Sequence, residues 1–270
     1  MKRALIGRFG AIALLAAACI GADDTAMPTL PDVSDTAALG VLPEPPTTAN
    51  PPSTPPTVPP STTEAVVEVV PITAPVGELA DGDRLLLIGD TAMLSLTPRH
   101  EGIACAVLSG MGWQVEIEAE PGRYIEFAAR VVDQLVVDAG ERWDVIGLMF
   151  GQHLDTTPDE FGAALDEVLA TIGDVPVLLY TRSEIDDATA AVNEVIRDLR
   201  GTYPNVLIVD WGAAVVNEQT LDLVADDGLP TADGMERITL LTAGALGRPA
   251  VSDGGQCLEA AFTDDSAIVL

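Results

Sequence analysis

Nucleophile and base chemistry in this chain must be built from a short stock of side chains. The sequence holds one lysine, Lys2, two histidines, His100 and His153, and three cysteines, Cys19, Cys105 and Cys257. A lysine confined to the second position excludes every site that needs one inside a folded domain. The P-loop phosphate clamp, the pyridoxal Schiff base and the phosphoryl-receiver lysine all go with it. An imidazole base must come from His100 or His153. His100 follows Pro98 on a helical segment and reads as a surface or packing residue, whereas His153 follows an apolar run at a strand end. Cys105 and Cys257 have no activating base nearby in sequence, so a disulfide is favoured over a nucleophilic thiol. Acidic pairs such as Asp186-Asp187, Asp226-Asp227 and Asp264-Asp265 lack the spacing of a calcium loop and read as solvated surface. Neither a metal nor a cofactor is expected.

The elements that would position these groups begin near Val76. Continuous apolar runs at Arg84–Gly89, 144–150, 175–180 and 205–210 suit strands buried on both faces. Residues 113–119 alternate and predict a half-exposed strand, at or near a sheet edge. Helical periods fall at 101–109, 124–139, 158–172, 185–200 and 232–246, with Pro158, Asp159 and Glu160 making a good helix start. Five strands alternating with helices predict a three-layer α/β/α sandwich around a mostly parallel five-stranded sheet. In such a fold the working site lies at the carboxyl ends of the strands. The loops after Gly89, Ala119, Phe150, Tyr180 and Asp210 are therefore the ones that matter, together with the approach to the last helix.

Four of those places carry recognisable blocks. They are Gly89-Asp90-Thr91, Pro121-Gly122-Arg123, Gly151-Gln152-His153, and the run from Asp226 through Asp227-Gly228-Leu229-Pro230-Thr231 to Gly234. In order and spacing the chain from about Asp83 to Leu246 resembles the SGNH (GDSL) hydrolases, a flavodoxin-like α/β fold. The Val209-Asp210-Trp211 strand ending is similar to that of actinobacterial envelope members. The resemblance implies a nucleophile at Thr91, an oxyanion donor at Gly122, a third-block donor at the His153 position beside Gln152, and a base-orienting carboxylate at Asp227. A serine or threonine hydroxyl is weak until a base takes its proton, and developing negative charge needs preset donors.

The chain departs from that pattern in three places. Thr91 stands where the family has serine, adding a methyl to a tight turn. His153 stands where the family has asparagine. Family members read Asp-Gly-Leu-His-Pro in the last block, but here Leu229 runs directly into Pro230, so the triad histidine is missing. A Thr91–His153 pair, oriented by Asp155 or Asp227, is the remaining route to catalysis. Trp211 is a candidate for stacking on a sugar ring.

Two segments precede the domain. Residues 1–22 have a basic start and an apolar stretch from Phe9 to Ala18, too short to span a membrane, which needs ~20 apolar residues. They read as an export signal, with Ala16-Ala17-Ala18-Cys19 resembling a lipobox; lipidation of Cys19 and simple secretion both stay open. Residues 23–75 hold 13 of the 20 prolines, no aromatic residue and no base, and read as a solvated, semi-rigid stalk. The domain is expected over 76–270. A net charge of −29 excludes nucleic acid as a partner. The expected protein is an exported, non-catalytic module that binds an acylated or carbohydrate envelope ligand or assists an envelope acyltransferase. An esterase or O-acetyltransferase using Thr91 and His153, and a purely structural surface module, are the alternatives.

Overall fold

The computed structural model describes residues 75–152, 154, 156–218 and 222–266. The segments expected to be an export signal with Cys19 and a stalk lie, up to residue 74, outside the described residues. Within them, no helix is long and apolar enough to cross a membrane.

Six parallel strands form one sheet: β1 (Arg84–Gly89), β2 (Gln114–Ala119), β3 (Val145–Met149), β4 (Val177–Tyr180), β5 (Val206–Val209) and β6 (Gln256–Cys257), in the order β5-β4-β3-β1-β2-β6. Seven α-helices flank it: α1 (Thr91–Leu94), α2 (Ala104–Gly110), α3 (Ile125–Val131), α4 (Pro158–Ile172), α5 (Asp187–Thr202), α6 (Trp211–Asn217) and α7 (Ala232–Leu246). Successive side chains of β1 point to opposite faces. Leu85 and Leu87 join Met93, Leu108, Trp211 and Ile238 under α1, α2, α6 and α7. Leu86 and Ile88 join Val131, Phe161, Leu165 and Ile196 under α3, α4 and α5. That period of two, with both faces apolar, is why the central strand reads as a continuous apolar run.

Register decides where the site can be. Gly89 pairs with Ala119 on one side and with Met149 on the other, so β1, β2 and β3 end at the same level. The chain therefore leaves all three strands side by side. A Cβ on Gly89 would lie 2.3 Å from Met93 Cβ, so only glycine lets α1 turn back at once over the strand end.

Several expected elements differ in the structure. The alternating segment is buried along β2, and the short β6 takes the edge beyond it, making the sheet six-stranded rather than five-stranded. The acidic positions of that alternation are not solvated. Glu116, Glu118 and Glu120 are only 8%, 0% and 3% exposed, because the C-terminal segment covers them. Ala261 N and Phe262 N donate to Glu118 at 2.6 and 2.8 Å, and Asp264 N donates to Glu120 at 3.2 Å. The helix expected from residue 101 begins at Ala104, because Pro98–His100 form a 3-10 turn that ends in a left-handed Glu101. The helix expected over 124–139 changes after α3 into a π-helical stretch, Val132–Asp138. His100 Nε2 lies 3.4 Å from the Asp265 carboxylate, as its donor, near the surface.

Cys105 of α2 and Cys257 of β6 form a disulfide that closes a loop of 152 residues. It fastens the edge strand, and with it the segment that caps the buried carboxylates. Replacing Cys257 by serine is expected to lower the unfolding free energy by about 2–5 kcal/mol, measured by urea denaturation of the oxidised protein and the variant.

The β2 carboxylates also set a pH dependence. Burial pushes the Glu116 carboxyl up to about 8, helped by a hydrogen bond to Glu118 and by the charges of Glu118 and Glu141, and opposed by Arg84. The folded protein thus keeps a proton that the unfolded chain loses near 4.5. Stability from this group falls as pH rises from about 5 to 8 and is flat above. Glu116→Gln keeps a donor toward Glu118 without an ionisable proton. It is expected to remove on the order of 1 kcal/mol or more of that decline, read as the difference in unfolding free energy between pH 5 and pH 8.

Candidate functional site

The site grows from the end of β1. Asp90 N donates to Met149 O at 3.2 Å, which carries the strand pairing one residue further. The Asp90 side chain, 1% exposed, then turns back as the N-cap of α1. One carboxylate oxygen accepts from Ala92 N and the other from Gln152 N, each at 3.0 Å. A single buried carboxylate therefore joins the first helical turn to the loop leaving β3. An ionised acceptor with two amide donors is among the stronger hydrogen-bonding arrangements available.

Thr91 follows as the first residue of α1, and its hydroxyl oxygen accepts from Gly122 N at 2.9 Å. Gly122 sits at φ +64°, a conformation that favours glycine, and this aims its amide toward Thr91. The loop carrying it is held by Glu120, whose carboxylate accepts from Arg123 Nε at 2.6 Å and lies 3.5 Å from Arg130 Nη2. A carbonyl oxygen arriving here would compete with the Thr91 hydroxyl for the Gly122 amide. The structure brings together Thr91 and Gly122, the residues of the first two blocks.

Gln152 and Asp227 also meet, but not through the Asp227 carboxylate. Gln152 Nε2 donates to the backbone carbonyl of Asp227 at 3.1 Å. Asp227 Oδ1 accepts from Leu229 N at 3.0 Å, closing a turn on its own loop, which Ala225 N to Leu229 O and Gly228 N to Ala225 O tighten further. Pro230 then bridges to Val224, and Thr231 caps α7 by accepting from Gly234 N at 3.1 Å. His153 and Asp155 lie outside the described residues.

Trp211 is a correction. It stands at the start of α6 with 0% of its surface exposed and donates from Nε1 to Ser183 Oγ at 2.9 Å. No ring face is available to a sugar. The Asp210 carboxylate at the end of β5 explains why a helix forms there: it accepts from Ala213 N, from Thr181 Oγ1 and from both sides of the Arg197 fork. Burial alone would raise the Asp210 carboxyl, yet Arg197, Ala213 and Thr181 together hold it below the usual range.

One residue gains a role that sequence reasoning did not assign. Asp90 lies inside the quoted first block, and its signal is the Asp before a short helix, an ordinary N-cap preference. Among the described residues, no cluster of acids, histidines and cysteines fit to hold a metal is present.

No family model matches the sequence, and no curated protein matches it. Solved structures do match the fold. The catalytic domain of peptidoglycan O-acetyltransferase A from Streptococcus pneumoniae is 18% identical, with TM-score 0.46 over 61% of this chain and 90% of that one. The family 3 carbohydrate esterase of Clostridium thermocellum is 13% identical, with TM-score 0.45 over 60% and 94%. The lipase/acylhydrolase from Enterococcus faecalis is 19% identical, with TM-score 0.50 over 59% of this chain and 92% of that one. That last likeness shows the fold: the domain shares the α/β/α architecture of that lipase/acylhydrolase.

Proposed function

We propose that this domain binds an acylated or carbohydrate ligand of the cell envelope at the strand ends carrying Thr91, Gly122 and Gln152, and that it does so without efficient turnover. One observation carries the proposal. Asp227, the carboxylate that would orient a triad base, accepts from its own Leu229 N, and the next residue is Pro230 rather than histidine. Replacing a triad histidine typically costs several orders of magnitude in rate, leaving what the oxyanion donors and binding supply. The donors are what this site retains. The export signal and the stalk support a location in the envelope, and an accessory role beside an envelope acyltransferase belongs to the same proposal.

The enzyme alternative draws support from the 2.9 Å Gly122 N–Thr91 Oγ1 contact, which puts a hydroxyl against an oxyanion donor. In that reaction Thr91 Oγ1 would form a bond to the acyl carbon as His153 takes its proton, and the alcohol would leave. The two readings separate on p-nitrophenyl acetate. Purified protein and its Thr91→Ala variant are expected to hydrolyse it at the same background rate. A rate at least about tenfold higher in the unsubstituted protein would overturn the non-catalytic proposal and establish Thr91 as a nucleophile.

A further inference from the structure

The sheet ends on an edge strand with little of its own to hold it. β6 is two residues long, and Gln256 and Cys257 are both exposed. Two main-chain bonds attach this part of the chain, Gln256 N to Trp113 O at 3.1 Å and Leu258 N to Val115 O at 2.8 Å. Cys257 adds a covalent bond to Cys105, which is only 2% exposed in α2. The chain then crosses the end of β2 as a strap. Ala261 N and Phe262 N donate to Glu118, and Asp264 N donates to Glu120. Asp264 also meets Arg123 at 3.1 Å, directly after Gly122 in the chain. Asp265 meets Arg99 at 3.1 Å, and Arg99 Nη2 donates to Ala119 O at 2.6 Å.

The non-covalent part of this attachment is weak. The strap carries Glu259, Asp264 and Asp265 toward Glu116, Glu118 and Glu120, so like charges oppose the contact. The arginines that answer them form partly exposed ion pairs, which contribute little. An amide–carboxylate bond that opens is replaced by bonds to water on both partners, so its net contribution is a small part of its strength. The strap's larger apolar side chains, Leu258 and Phe262, are only partly buried. The disulfide, by contrast, closes a loop of 152 residues and removes much of the freedom that a detached strap would regain. An exposed disulfide is also the kind that thiols reach and reduce.

We propose that the Cys105–Cys257 disulfide is a redox-sensitive fastener: reduction by a dithiol frees residues 258–266 from Glu118 and Glu120 and loosens the turn holding Gly122, while the rest of the sheet stays folded. One thiolate of the dithiol bonds to the sulfur of the exposed Cys257. The Cys105–Cys257 bond breaks, and Cys105 leaves as a thiolate that takes a proton. The second thiol of the dithiol, as thiolate, then bonds to the first, and Cys257 leaves and is protonated in turn. The dithiol becomes a disulfide, and two electrons and two protons pass to the cysteines. With the strap detached, Glu120 loses Asp264 N and Arg123 loses the Asp264 carboxylate, so the Gly122 N–Thr91 Oγ1 contact loses support. The device does not depend on what the strand ends bind.

The test compares the amide NMR spectrum of the isotope-labelled full chain before and after dithiothreitol at constant pH, with thiol titration to follow release of Cys105 and Cys257. The amides of Ala261, Phe262 and Asp264 are expected to move to the positions of unstructured chain, and the Gly122 amide is expected to shift. Amides of β1, β3 and β4 are expected to stay in place, and reoxidation to restore the starting spectrum. A Cys105→Ala/Cys257→Ala double variant is expected to show the reduced pattern with or without dithiothreitol. The unsubstituted chain decides the matter should that variant fail to fold. Strap or Gly122 amides that keep their positions after reduction would overturn the inference. So would strand amides that collapse together with them, a change that reoxidation does not reverse, a folded double variant with the oxidised pattern, or a disulfide that dithiothreitol leaves intact in the folded protein.

Discussion

The Asp90 carboxylate is the interaction on which the arrangement of the site depends. It is almost wholly buried, and it is stable there because each oxygen meets a backbone N–H, one from α1 and one from the loop after β3. A buried carboxylate left without such donors would cost far more than the hydrogen bonds return. The consequence is geometric. With Ala92 and Gln152 fixed to the same group, Thr91 is held facing Gly122 and the Gln152 side chain is held toward the Asp227 loop. Equal strand ends at Gly89, Ala119 and Met149 supply the platform on which one side chain can do this.

A second set of buried acids stabilises the neighbouring loop from behind. Glu118 on β2 and Glu120 just beyond it accept amides from residues 261–264, and Glu120 also holds Arg123, the residue after Gly122. The C-terminal segment therefore contributes to the position of Gly122, well over a hundred residues earlier in the chain. Its own attachment comes from β6 and the Cys105–Cys257 disulfide. Fold stability and site geometry meet in this one segment.

Much of the fold was legible because its strands are buried on both faces, and an apolar run such as Arg84–Gly89 has few other readings. α4 and α7 begin and end where the sequence places them, since Thr157 with Glu160, and Thr231, are capping residues of the expected kind. What the sequence hid was tertiary cover. Alternating Glu116, Glu118 and Glu120 look like a solvated face, and only the distant C-terminal segment makes them buried. β6 is two residues long and has no pattern of its own. In the site, the blocks locate Thr91, Gly122, Gln152 and Asp227, but spacing says nothing of whether Asp227 faces a partner or its own loop. Trp211 shows the converse. An aromatic side chain at a strand end looks available for stacking, and it is instead buried beneath α6.

The retained frame does not by itself argue for retained catalysis. Asp90, Glu120 and the Gly122 conformation each satisfy buried polar groups or a turn, and those requirements persist whether or not a base is present. A histidine in the last block has no comparable structural task. Here the turn closes without it, through Asp227 Oδ1 and Leu229 N, and α7 is capped by Thr231.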